Sequence, residues 1–112
     1  MSIVREDLIN VDDALKRVGG NMGLYQKLLV RFAESTHHKE LQESLTGCDF
    51  EAARQHAHTI KGVAANLSLI QLQLSCAELE CVIKNGDNYK DKLEAFKSAY
   101  SDTIAAIKQI TA

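Results

Sequence analysis

Two histidines, a lysine and a glycine stand together in the run HAHTIKGVAANLS, from His56 to Ser68. On a helix, Lys61 follows His58 at i+3 and Gly62 follows it at i+4, so both lie next to the imidazole on the helix surface. An ammonium in that place cannot serve the ring as a salt-bridge partner, and it lowers the ring's basicity. It can neutralise an anion attached to the ring. Glycine inside a helix costs roughly 0.5 to 1 kcal/mol relative to alanine, so its presence beside the histidine points to something that must approach the backbone closely. An exposed nucleophilic imidazole, a cation one turn away and a small residue leaving access are what a transiently phosphorylated histidine requires.

The elements that must hold these residues are helices. The 112-residue chain has no proline and few aromatic residues, which removes the commonest helix breaker and most of what strands prefer. Glycines and Asn or Asp caps supply the punctuation. A short helix over Val11 to Val18 stops at Gly19 and Gly20, one of which can take a left-handed C-cap conformation. Asn21 caps a second helix that carries Leu24, Leu28 and Phe32 inward and continues through STHHKELQESL to Leu45, with Leu41 and Leu45 resuming the stripe. Asp49 caps a third, with an apolar seam of Phe50, Ala53, Ala57, Ile60, Ala64 and Leu67 spaced three and four apart. A fourth shows Leu72, Cys76, Leu79 and Ile83 and ends at Asn85 and Gly86. The last runs from about Asn88, with Leu93, Phe96, Tyr100, Ile104 and Ile107 on its apolar side. Four long amphipathic helices with short connections hide their stripes only against each other, which predicts an all-α, antiparallel four-helix bundle with the short N-terminal helix as a lid.

The seam of the third helix defines an inward direction, and at ~100° per residue His58 falls about 130° from it, facing solvent beside Gly62 and Ala65. Lys61 lies between His58 and the core edge. If the third and fourth helices form an antiparallel hairpin with its midpoint near Leu69, a residue n faces one near about 138 minus n, which pairs His58 with Glu80. Glu80 lies on a flank of its helix, where a carboxylate can accept from one ring nitrogen, fix the tautomer and leave the other nitrogen's lone pair free to attack. Glu78 points further away.

Length allows one domain spanning residues 1–112. The formal net charge is -2, with no basic run to track phosphates, which argues against nucleic acid as a partner. The N-terminus lacks a basic stretch followed by an apolar one, and no apolar run approaches the ~20 residues that span a bilayer, so a cytoplasmic chain is expected. Cys48, Cys76 and Cys81 form an odd set without a CxxC pair, which points to reduced packing residues.

The string AHTIKGVAANLS resembles the His-x-x-Lys-Gly signature of histidine-containing phosphotransfer (HPt) domains, the intermediates of two-component phosphorelays. ALKRVGGNMGLYQKLLVRF upstream looks like that family's N-terminal region. CAELE downstream matches where the family often has a Glu or Gln bonded to the histidine, so the resemblance covers nearly the whole chain. It implies His58 as phosphoacceptor, Lys61 holding the phosphoryl oxygens, Gly62 giving access and Glu80 orienting the ring. The partners implied are receiver domains of a hybrid sensor histidine kinase, of a response regulator, or of both. Each receiver carries a phosphorylatable aspartate and a bound magnesium ion, with no cofactor in this chain. A second histidine that some relatives place on the fourth helix is replaced here by Ala77, which favours a simple relay over the chemotaxis-kinase type. There is no glycine-rich nucleotide loop, so no ATP-dependent kinase activity is expected. The resemblance also implies a monomer, and Met1 just ahead of the first helix favours a free-standing domain.

Two other readings compete with the phosphoryl carrier. A module that binds a receiver without accepting phosphate would keep Gly62 and dispense with the histidine. A metal-binding bundle needs inward histidines and carboxylates in ExxH-type pairs. No such convergence is visible in the sequence: His37 and His38 are adjacent and face different sides, and His56 reads as a partly buried packing residue on the flank opposite His58. Asn66 can meet a docked partner or simply close its helix.

Overall fold

In the computed structural model, which describes residues 5–112, the starts of three helices trace to side-chain caps and several turns to residues in the left-handed region. Met1, on which a free-standing domain was expected, lies outside the described residues. The helices are α1 (Val11–Arg17), α2 (Met22–Glu34), α3 (His37–Thr46), α4 (Phe50–Asn66), α5 (Ile70–Lys84) and α6 (Lys90–Thr111). Asn10, Asn21 and Asp49 each accept a hydrogen bond from the backbone N–H three residues on, at 3.0, 3.0 and 3.2 Å. Such caps satisfy donors that the first turn leaves orphaned. Gly19, Gly20 and Gly86 all take positive φ, so both glycines after α1 adopt the left-handed conformation expected of one.

Three elements depart from the sequence expectation. The second helix is not continuous to Leu45: Ser35 is extended at φ -66° and ψ 147°, and α3 begins afresh at His37. Polar side chains compete with the helical backbone here, Ser35 Oγ accepting from the His37 N–H at 3.3 Å and Thr36 Oγ1 donating to Glu40 at 3.1 Å. On α2 the inward stripe is Tyr25, Leu29 and Phe32, while Leu24 is exposed and Leu28 only partly buried. Tyr25 wins because its ring fills the core and its hydroxyl donates to the buried Leu67 carbonyl at 2.8 Å. Phe50, expected in the seam of α4, is exposed at the helix start and lies 6.3 Å from the Tyr89 ring.

The bundle stands with these corrections. α2 and α3 together make one column, antiparallel both to α4 and to α6. Gln26 donates to the Ile110 carbonyl at 2.8 Å near one end of α6, and His38 stacks on Tyr100 at 4.3 Å further along it. Ala53, Ala57, Ile60 and Ala64 of α4, Leu67 just after it, and Leu72, Cys76, Leu79 and Ile83 of α5 are buried as their spacing predicts. On α6 the buried set is Phe96, Ala99, Thr103, Ala106 and Ile107, with Leu93, Tyr100 and Ile104 packed at its margin. The stretch before α1 closes the α4–α5 turn, Asn10 N–H bonding the Ser68 carbonyl at 3.0 Å and Ile70 N–H the Leu8 carbonyl at 2.9 Å. Ser68 holds φ +57° in that turn, and its hydroxyl donates to Asp13 at 2.9 Å and accepts from Arg17. That lid pins the hairpin whose register sets the site. No described helix is long and apolar enough to cross a membrane.

Candidate functional site

α4 runs between α3 and α5, and its two flanks carry different chemistry. On the α5 flank, His58 Nδ1 lies 3.2 Å from Glu80 Oε2, the pair the hairpin register predicts. The imidazole is 65% exposed while the Glu80 side chain is 15% exposed, so the carboxylate is the buried anchor and the ring stands outward. With Nδ1 turned to an acceptor, the Nδ1–H tautomer leaves the Nε2 lone pair free.

Lys61 is not poised over the ring. Its Nζ donates to the other oxygen of the same carboxylate, Oε1, at 2.7 Å. Glu80 therefore holds both neighbours at once, one oxygen to each. Burial pushes its carboxyl pKa up, but the hydrogen bond and charge of Lys61, with those of His58, outweigh this and hold it below the ordinary 4.5. Sequence reasoning places both residues at the histidine but misses that they bind each other.

Gly62 sits in mid-helix, and a Cβ built there meets no atom within 4 Å. Nothing within the described residues requires glycine at that position. Cys76 lies one turn before Glu80 on α5, where burial, followed by the Glu80 charge, pushes its thiol up to about 12. Of the three cysteines only Cys76 packs inside; Cys48, in a turn at φ +58°, and Cys81, on the outer side of α5, are exposed. Arg54, one turn before His58, was not singled out from the sequence; it pairs with Glu51 at 2.6 Å and also feels the Glu80 charge. Its i−4 spacing from His58 was the available signal. Glu78 turns away to Lys92 of α6 at 2.7 Å.

On the α3 flank, His56 is partly buried as expected, but it does more than pack. Its Nδ1 faces His37 Nδ1 at 3.3 Å, and Glu40 Oε2 lies 3.5 Å from the first and 3.7 Å from the second. Two histidines and a carboxylate thus converge where the sequence shows no convergence. The adjacent His37 and His38 do face different sides, His38 turning to Tyr100.

A family model described as the Hpt domain matches residues 28–110, a span that contains α3 to α5 entire and most of α2 and α6. Curated proteins and solved structures give no match to the chain.

Proposed function

The chain belongs to the Hpt domain family, whose members carry out histidine phosphotransfer in two-component signalling, and on that premise we propose that His58 is its phosphoacceptor. The observation that carries the assignment is the Glu80 carboxylate on Nδ1, 3.2 Å away, under an otherwise exposed ring. The neutral Nε2 lone pair attacks the phosphorus of an aspartyl phosphate on a receiver domain, in line with the bond to the aspartate oxygen. The P–N bond forms as the P–O bond breaks, and the aspartate leaves as a carboxylate. Nδ1 keeps its proton throughout, and the positive charge that develops on the ring is met by Glu80. Transfer onward reverses these steps on a second receiver.

Lys61 is the phosphoryl partner in this reading, and its resting contact with Glu80 fits that role. A partly exposed ion pair is worth only about 0–1 kcal/mol, so the ammonium leaves it at little cost for phosphoryl oxygens, whose charge makes the new hydrogen bonds strong. Glu80 then remains with the ring alone, at the stage when the ring carries most charge. Gly62 gives clearance for the receiver, and the open space above it supports that reading. The magnesium ion implied for the transfer belongs to the receiver. The chain acts as a carrier in the cytoplasm, with no ATP-dependent kinase step, as a monomer and a single domain.

The test is intact mass after mixing the protein with a phosphorylated receiver and magnesium, with an acid-treated aliquot alongside. One added phosphoryl group, lost in acid and absent from His58→Gln, is the expected result. Retained labelling in that variant would remove His58 from the mechanism. Receiver binding without any added mass would identify a docking module that does not react.

A further inference from the structure

The cluster on the other flank of α4 has no part in phosphotransfer, and its geometry asks for an occupant. His37 Nδ1, His56 Nδ1 and Glu40 Oε2 form a triangle with edges of 3.3, 3.5 and 3.7 Å. A tetrahedral zinc ion with bonds of 2.0–2.2 Å to nitrogen and oxygen holds its ligands ~3.3–3.5 Å apart, so the three atoms lie close to one face of that tetrahedron. The donor set, two imidazoles and one carboxylate, suits a borderline divalent ion such as zinc, whereas magnesium and calcium prefer oxygen ligands.

Proton counting points the same way. In the neutral pair only one Nδ1–H can lie between the two facing nitrogens, and it can serve one acceptor well. Three lone-pair sites converge there: the second Nδ1, the carboxylate oxygen, and the first Nδ1 whenever its proton moves to Nε2. A dication satisfies all three with both rings in the Nε2–H tautomer, so binding needs a tautomer shift and no net loss of protons. With centroids 5.6 Å apart and planes 49° apart the two Nδ1 atoms face each other directly, so a modest turn of the two half-buried rings brings both lone pairs onto one ion. Each side chain is half-buried, which leaves a path for the ion and a fourth position for water.

We propose that His37, Glu40 and His56 form a zinc-class metal site that staples α3 to α4, the helix bearing His58. It does not depend on the phosphotransfer reading, since none of its ligands is used there. The decisive experiment titrates Zn2+ itself into the full chain against a chromophoric chelator, with thermal melts in parallel. Wild type is expected to bind one equivalent at micromolar zinc or below and to melt higher when loaded, because an ion bound to the folded state alone stabilises it. His56→Ala and Glu40→Gln should each bind roughly a hundredfold more weakly, since even partners outside the ligand set are commonly worth 10–100-fold. His58→Gln should bind as wild type does. Cobalt gives a further signature, the intense visible absorption of a tetrahedral ion, which should vanish in His37→Ala. Absence of stoichiometric binding, affinity unchanged in His56→Ala and Glu40→Gln, or loss of binding in His58→Gln would each overturn the assignment. Should an alanine variant fail to fold, Glu40→Gln alone decides, as Glu40 is half-exposed on the surface of α3.

Discussion

His56 and His58 sit two residues apart on one helix, each beside a glutamate, yet the two flanks they occupy differ in their third member. On the α5 side that member is Lys61, which shares Glu80 with the ring. On the α3 side it is His37, a second imidazole turned toward the first. A cation beside a histidine suits a ring that is to carry an anion, whereas a second imidazole suits a shared cation. Exposure sharpens the contrast: the His58 side chain is 65% exposed and that of His56 25%. Residue type and helical phase together, not the presence of histidine, distinguish the two flanks.

Replacing each histidine in turn by glutamine separates the two flanks most clearly. His58→Gln is expected to abolish phosphoryl acceptance, and His56→Gln to leave the transfer rate within about twofold in the same stopped-flow assay, as surface changes away from a site usually do. Equal losses in both would mean that the flanks act as one site. Next in size is Lys61→Ala, for which transfer should slow roughly tenfold to a hundredfold, short of the 10²–10³ typical of a fully buried charge-stabilising donor. Its melting temperature should fall by only about 4–8 °C, because Glu80 keeps His58 as a partner when the lysine is lost and the half-buried pair is worth on the order of 1 kcal/mol. A larger fall would make the lysine structural.

Glu80→Gln is expected to slow transfer less, and nitrogen NMR should show the His58 ring gaining Nε2–H tautomer as its anionic acceptor is lost. An unchanged tautomer ratio would mean that the two side chains do not meet in solution. The same variant tests a pH effect. The Glu80 carboxyl is held below its ordinary 4.5 in the folded chain, so it contributes stability above about that pH and loses it as pH falls through its folded value. Acid unfolding of wild type should therefore be steeper below pH ~4.5 than that of Glu80→Gln, and coincident curves would remove the Glu80 contribution. The smallest effect belongs to Gly62→Ala, which should raise stability by roughly 0.5–1 kcal/mol. Gly62→Gln should weaken receiver binding without lowering the melting temperature; unchanged binding would remove the clearance argument.

Much of the α5 flank was legible in the sequence because its determinants are local. The seam of α4 fixes the direction of His58, and a short turn near Leu69 fixes its partner as Glu80. The α3 flank was hidden by two phase resets. The break at Ser35 and Thr36 restarts the helix, so which of His37 and His38 faces α4 cannot be extrapolated from α2. Cys48 takes φ +58° after Gly47, a left-handed turn made at a residue that does not advertise one, and that turn sets the α3–α4 register. On α2 two stripes overlap, one through Leu24 and Leu28 and one through Tyr25 and Leu29, and the first is the more apolar. The choice fell to a distant acceptor, the Leu67 carbonyl. The Lys61–Glu80 bond was missed for a related reason: spacing places both side chains near His58, but says nothing of which of them pair when no phosphoryl group is there.

Of the two histidines on α4, only one is expected to accept the phosphoryl group. Fragmentation mass spectrometry of the phosphorylated chain, at neutral to basic pH so that the P–N bond survives, locates the group directly. The expected position is His58 alone. A phosphoryl group on His56, or divided between the two rings, would contradict it.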